Sequence, residues 1–396
     1  MTSRERILGA FRGESIDRVP FAPNIYQWFH VRRANGTLPS ELEGMEHPVE
    51  VLRFLGADIL ARWDTQACAR TTFTAGRFTE QYRGRSASTS DRITAFNHYP
   101  PGCDECWRQF ETPYGPLTEQ WNYSQSANAD FQSEFMWKDW DDFPKIKFFL
   151  ESRNYEFDAQ SFRGWFDRVG TDGVVMVHLT QSPLKTFHWL AGAERTTYFA
   201  ADHPKEMQEL AAIHEEKAIA LLNQTLDFPQ AEVFISLDNL DSAFYSPALY
   251  DRYCHPFFSR AASLIHTRNK VFVVHACGHT RALLPQVAAS GVDCLEGITP
   301  PPVGNVDFGR IRSLTAPRRF VINGGIEVHH VEESVEAESR IHAYTRNLFD
   351  EIGDLRGFIF ASSCNTSPAA PWENIIHFRN ASLEYGNIRR QNIKDH

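Results

Sequence analysis

Positive charge is scarce in this chain: Lys+Arg 40 against Asp+Glu 50 leaves a formal net charge of -10. With no basic run either, the sequence lacks the electrostatic footprint of a nucleic-acid-binding surface. No stretch approaches the roughly 18 apolar residues of a membrane span. The opening MTSRERILGAFRGESIDRVP has no long apolar core of the secretory-signal kind. Cysteine is sparse as well. Seven residues, an odd number widely scattered, do not make a disulfide framework. A cytoplasmic, reducing setting with no membrane and no nucleic-acid partner is the expectation. Internal repeats and low-complexity tracts are also missing, so 396 residues are free to build one large α/β domain or two smaller ones.

What is present in quantity is aromatic: Phe 30, Tyr 12 and Trp 9. Short apolar, β-rich runs recur along the chain, at 19–22, 57–60, 173–178, 232–237, 270–274, 292–295, 319–322 and 357–361. Runs such as VVMV, VFVV and FIF suit parallel strands covered on both faces. Segments 204–228, 246–268 and 332–351 have helical apolar spacing. Eight strands alternating with helices predict a (β/α)8 barrel, a TIM barrel, in a single domain over 1–396. A doubly wound open sheet is the competing arrangement. The connection after the second strand, 64–172, is too long for one crossover. It starts at Asp64 and is dense in rings, among them Phe96, Tyr99, Trp107, Trp121 and Trp140. That segment is expected to be an insertion acting as a lid or docking element.

Polar residues gather where the predicted strands end, which in a parallel barrel is the face that carries active sites. The ends present Asp58, His178, Asp238 with Asn239, His275 with Cys277, Glu296, Asn323 with Gly324 and Gly325, and Cys364. One imidazole, two thiolates and a carboxylate form a plausible tetrahedral zinc set: His275, Cys277, Cys364 and Glu296. Glu296 is expected to be the displaceable member, since a carboxylate can yield to an incoming thiolate. His178, Asp238 and Asn239 would position substrate or orient ligands. The Asn323-Gly324-Gly325 backbone could face an anion. Weaker candidates are expected to be structural: Cys103 and Cys106 in a lone CxxC, Cys294 in a strand, and His329 with His330 on a helix rim.

Several blocks carry a family likeness: TSRERILGAFRGESIDRVPFAP, GADILARWD, SPLKTFHWLAG, HACGHTRALLPQ, INGGIE and CNTSPAAPWENI. Together they resemble the uroporphyrinogen decarboxylase-like superfamily, and within it the corrinoid-dependent methyltransferases. The resemblance implies a (β/α)8 barrel with zinc on His275, Cys277 and Cys364, and a corrinoid (cobalamin) carried by a separate protein. Cobalamin-independent methionine synthase, a more distant relation, has the same His-x-Cys, Glu, Cys order. The implied activity is zinc-dependent methyl transfer between the corrinoid and a small molecule, either to a thiol or from a methyl ether by O-demethylation. Two alternatives accompany it: a decarboxylase, and a non-catalytic zinc-containing binding module. The decarboxylases hold porphyrin carboxylates with an arginine-rich segment after the first strand. Here that segment reads NIYQWFHVRRANG, with only Arg32 and Arg33 as substitutes, while Asp58 is the residue that keeps the decarboxylase comparison open.

Overall fold

A computed structural model describes residues 1–63, 65, 68–84, 103–124, 129–317 and 320–388. Asp64, Phe96 and Tyr99, singled out above, and Arg319, the first residue of the run 319–322, lie outside the described residues. Eight parallel strands form the central sheet: β1 (Phe21–Ala22), β2 (Ile59–Ala61), β3 (Gly173–His178), β4 (Val233–Leu240), β5 (Val271–Ala276), β6 (Cys294–Ile298), β7 (Val321–Ile326) and β8 (Phe358–Ser362). Their spatial order is β1-β8-β7-β6-β5-β4-β3-β2, each strand beside its neighbour in sequence. A backbone hydrogen bond from Asp58 to the Phe21 carbonyl, at 2.7 Å, joins the two ends of the sheet. The fold is therefore the expected (β/α)8 barrel. Strands β3, β5, β6, β7 and β8 are buried at every position, as helices on the outside and packed side chains on the inside require.

Chain chemistry explains the departures from expectation. The segment 246–268 forms two helices, Pro247–Tyr253 and His255–His266, separated at Cys254. Pro256 has no amide to continue the first helix, so it opens a second one. The helix expected over 332–351 runs from Ala337 to Ile352, and a separate short helix, Val328–Glu332, ends where it was expected to start. The second strand runs one residue beyond the expected 57–60 and starts two later, which moves Asp58 to its N-terminal side. There Asp58 is fully buried and accepts from Arg6 at 2.7 Å, from Arg18 at 2.7 Å and from the Phe21 amide at 2.8 Å. It clamps the barrel seam at the end opposite the strand C-termini.

Between β2 and β3 the chain builds two antiparallel sheets. One pairs Ala69–Phe73 with Arg153–Phe157; the other stacks Arg77–Arg83, Glu105–Glu111, Leu117–Ser124 and Ala129–Glu134 in that order. Phe73, Phe110 and Phe149 pack with ring centroids 4.8 to 5.6 Å apart and give this segment an aromatic core of its own. It docks on the helix Pro183–Ala191 that follows β3. Trp121 meets Trp189 at 5.2 Å, and Gln132 donates to the Trp189 carbonyl at 3.0 Å. Among the described residues, no helix is long and apolar enough to cross a membrane.

Candidate metal centre

Strand β5 delivers His275 in its last turn of pleat and Cys277 one residue past its end, while Cys364 follows β8 by two residues. The strands β6 and β7 lie between them in the sheet, yet barrel curvature brings the three side chains together across the mouth. One ligand atom from each of His275, Cys277 and Cys364 lies within 4.8 Å of the other two. It is the one such group of three found among the described residues. Gly297 makes the approach possible. It sits at φ +89° in a register shift of β6, and a Cβ there would overlap the Ala276 and Ser363 carbonyls and the His275 ring.

Glu296 is placed differently from the expectation. Parallel register sets it directly beside His275 on one side and Asn323 on the other. Its Oε2 accepts from His275 Nδ1 and also from Arg62 Nη1. The carboxylate is thus bonded to the His275 ring and stands outside the three-residue cluster, where it would orient the ring if a metal were held there. With Nδ1 occupied by Glu296, Nε2 is the nitrogen left to bind a metal. Burial alone would raise the Glu296 pKa, but the Arg62 and His275 charges outweigh it and hold the carboxyl below its ordinary value. Burial likewise opposes a charge on His275, and Glu296 with Cys364 raises its pKa in spite of that.

The two thiols share a proton unequally. Hydrogen bonding with Cys277 holds Cys364 well below the usual thiol pKa, and the same contact pushes Cys277 up. Cys364 is thus the first to become the thiolate that a soft metal requires. Lys185, in the helix after β3, has its pKa lowered by burial while Asp238 and Cys277 pull on its charge. Arg62 and Lys185 were not among the expected site residues. Both stand in blocks that carried the family likeness, ILARW and SPLKTF, where a charged residue inside an apolar run was the available signal.

The remaining candidates separate into neighbours and bystanders. His178 reaches the carbonyl of Arg62 through Nε2, and burial lowers its pKa to about 4. It supports the arginine and not the cluster. Asp238 accepts from the Ser182 amide at 3.0 Å and from Ser236 Oγ at 2.6 Å, so it ties β4 to the start of the helix Pro183–Ala191. Asn239 is exposed at φ 50°. Asn323 is fully buried, with neither side-chain polar atom hydrogen-bonded. Gly324 and Gly325 lie inside β7, paired with Phe360 and Ala361, where a Cβ would strike Ile298 and Leu348. Their role is close packing of strand and helix, in place of an anion loop. His329 and His330 lie on the short helix Val328–Glu332, where His330 stacks on Tyr344 at 3.9 Å. Cys294 is buried in β6 and Cys106 in the insertion sheet; with Cys103 they stay outside the cluster.

The donor set fits zinc. An imidazole and two thiolates are soft to borderline ligands, unsuited to magnesium or calcium. Tetrahedral zinc bonds imply ligand separations of roughly 3.5–3.8 Å, within reach of the observed cluster by small side-chain shifts. Beside Cys277 and Cys364 opens a cavity of about 230 Å³, also lined by Thr299, Ile326, Glu327 and Ser363. Two of the three donors, Cys277 and Cys364, line this cavity, so a small molecule in it would lie beside the cluster.

Fold and site together define a (β/α)8-barrel protein with a candidate His-Cys-Cys metal centre at the C-terminal mouth. The family pattern of uroporphyrinogen decarboxylase (URO-D) matches residues 135–385, more than half of the chain. The chain belongs to the uroporphyrinogen decarboxylase family. Among solved structures, a methyltransferase from Methanosarcina mazei is similar at TM-score 0.58 and 15% identity, covering 97% of this chain and 99% of that one. At that identity the likeness bears on the fold. A xylanase of glycoside hydrolase family 10 from Gloeophyllum trabeum reaches TM-score 0.36 at 10% identity over 58% of this chain and 81% of that one, too low to carry an argument. No curated protein sequence matches.

Proposed function

We propose that this chain is a zinc-dependent methyltransferase that passes a methyl group from a corrinoid on a separate protein to a small thiol. The observation that carries the reading is the convergence of His275, Cys277 and Cys364 beside a cavity of about 230 Å³. A zinc ion held there would keep the acceptor as a thiolate near neutral pH and orient it for attack. The chain's own part is positioning. Glu296 accepts a hydrogen bond from Nδ1 and so would leave Nε2 for the zinc, while Arg62 balances the carboxylate charge. The M. mazei methyltransferase, with the same fold over nearly the full chain, supports this reading. A cavity of this size is below the ~300–1,000 Å³ of sites for drug-sized ligands. It has no room for a corrin ring, which is why the donor is assigned to a partner presented at the mouth.

The test is zinc content of the wild type beside His275→Ala and Cys364→Ala. Stoichiometric zinc lost in both variants, with methylcobalamin-dependent thiol methylation lost alongside, is the expected result. Wild-type protein that binds no zinc when zinc is supplied would overturn the reading.

Family membership itself favours a second reading, a carboxy-lyase acting on a porphyrinogen. The two arginines that would substitute for its carboxylate-binding segment are engaged elsewhere. Arg32 donates to the Pro368 and Ala370 carbonyls at 3.1 and 2.9 Å, and Arg33 to the Glu46 carbonyl at 2.7 Å. Among the described residues, no Arg or Lys lines the cavity beside the thiols. Carbon dioxide release from uroporphyrinogen would establish this reading in place of the first.

A further inference from the structure

The cavity beside Cys277 and Cys364 is polar at one place and apolar at others. Ile326, Val328 and Val331 supply apolar wall, and among the described residues Glu327 is the only one of a charged type in the lining. Glu327 is 1% exposed. Its Oε2 accepts from the His329 amide at 2.9 Å, which fixes the side chain as the cap of the helix Val328–Glu332. Its Oε1 has no hydrogen-bond partner, and neither does Oγ of Ser363, a second buried lining residue. A buried acceptor left unpaired costs on the order of 1–3 kcal/mol, so such an atom at a cavity wall calls for a donor from outside the chain.

Resting on the thiol-transfer reading above, we propose that Glu327, helped by Ser363, selects the acceptor: a short aliphatic thiol whose far end carries a hydrogen-bond donor, an ammonium or a hydroxyl. The thiol sulfur faces the Cys277–Cys364 side of the cavity and the donor end faces Glu327. Thiols with an anionic tail are rejected, because a carboxylate or sulfonate would meet Glu327 with no Arg or Lys among the described lining residues to offset it. At the ~30 Å³ that a water takes in the liquid, the volume admits an acceptor of about eight non-hydrogen atoms.

The test is calorimetric binding of 2-aminoethanethiol, 2-mercaptoethanol and 3-mercaptopropionate to the zinc-loaded wild type, to Glu327→Gln and to Ser363→Ala. Gln keeps an oxygen for the His329 amide while turning the second position from acceptor to donor, so the helix cap survives, and a melting curve checks it. The expected result is that the wild type prefers the amino and hydroxy thiols by tenfold or more, about 1.4 kcal/mol, and that Glu327→Gln abolishes or inverts the preference. Equal binding of all three thiols, or a preference untouched in Glu327→Gln, overturns this inference and leaves the methyltransferase reading standing. Zinc-loaded protein that binds none of the thiols overturns both.

Discussion

Arg62 and Glu296 form an ion pair with side chains only 3% and 5% exposed, and the same Glu296 oxygen holds His275. The arginine leaves β2 and the glutamate sits in β6, so the pair spans the barrel interior beneath the candidate metal. Removing one member of a buried pair strands the other charge. Arg62→Met is expected to lower unfolding stability by about 3–5 kcal/mol, measured by urea denaturation.

Glu296→Gln tests the orienting role separately. Gln can still hydrogen-bond the ring but no longer carries charge. Zinc affinity is expected to fall roughly 10–100-fold, read by competition with a chromogenic chelator. If Glu296 were a direct ligand, the bound metal's coordination by X-ray absorption would lose an oxygen in this variant; the expectation is an unchanged nitrogen and sulfur set.

Asp58 offers a contrast at the other end of the barrel. Asp58→Asn removes the charge that Arg6 and Arg18 share, with an expected loss of about 3–5 kcal/mol. Zinc content of the folded fraction is expected to stay at the wild-type level. A decarboxylase role for Asp58 predicts the reverse, intact stability with lost activity.

Acid should unfold this protein early, and the sign follows from its histidines. Burial lowers the pKa of His178 and His188 to about 4 and of His214 to about 3. The unfolded chain takes up these protons from about pH 6.5 downward, while the folded chain resists until pH 4 or below. Stability is therefore complete above pH 6.5 and falls as pH drops through the window to 4. For the fully buried His178 and His214 the loss at pH 5 is roughly 2 kcal/mol each. Denaturant midpoints at pH 7, 6 and 5 check this; a flat profile would contradict it.

Trp189→Ala tests the docking of the insertion. An aromatic pair adds about 0.5–1.5 kcal/mol beyond area burial. Faster proteolysis within residues 69–134, with the barrel fragment resistant, is the expected outcome.

The barrel was legible because its strands are apolar runs with no competing pattern, and the cluster because His275, Cys277 and Cys364 each stand just where such a run stops. Other features were not, for physical reasons. β1 and β2 are two and three residues long, too short for periodicity to fix their ends. A shift at the second strand sent Asp58 to the wrong end of the barrel and hid Arg62, the residue that β2 delivers toward the site. Glu296 follows an apolar run in the sequence as a ligand would, yet it lies in the middle of β6, and only the cross-strand register shows that it meets Nδ1. The unpaired oxygen of Glu327 has no signature in INGGIE, since pairing depends on atoms far away in the chain.

The seam between β1 and β2 has a consequence for motion. A single backbone bond from Asp58 to Phe21 and the side-chain clamp around it close the sheet there, whereas β4 and β5 share a ladder from Val233 to Leu240. Sub-global opening follows the least-bonded boundary. In hydrogen exchange the amides of Ile59–Ala61 should therefore lose protection before those of Val271–Ala276. Each such opening draws Arg62 away from Glu296, so breathing of the seam would intermittently unbalance the charge that steadies His275.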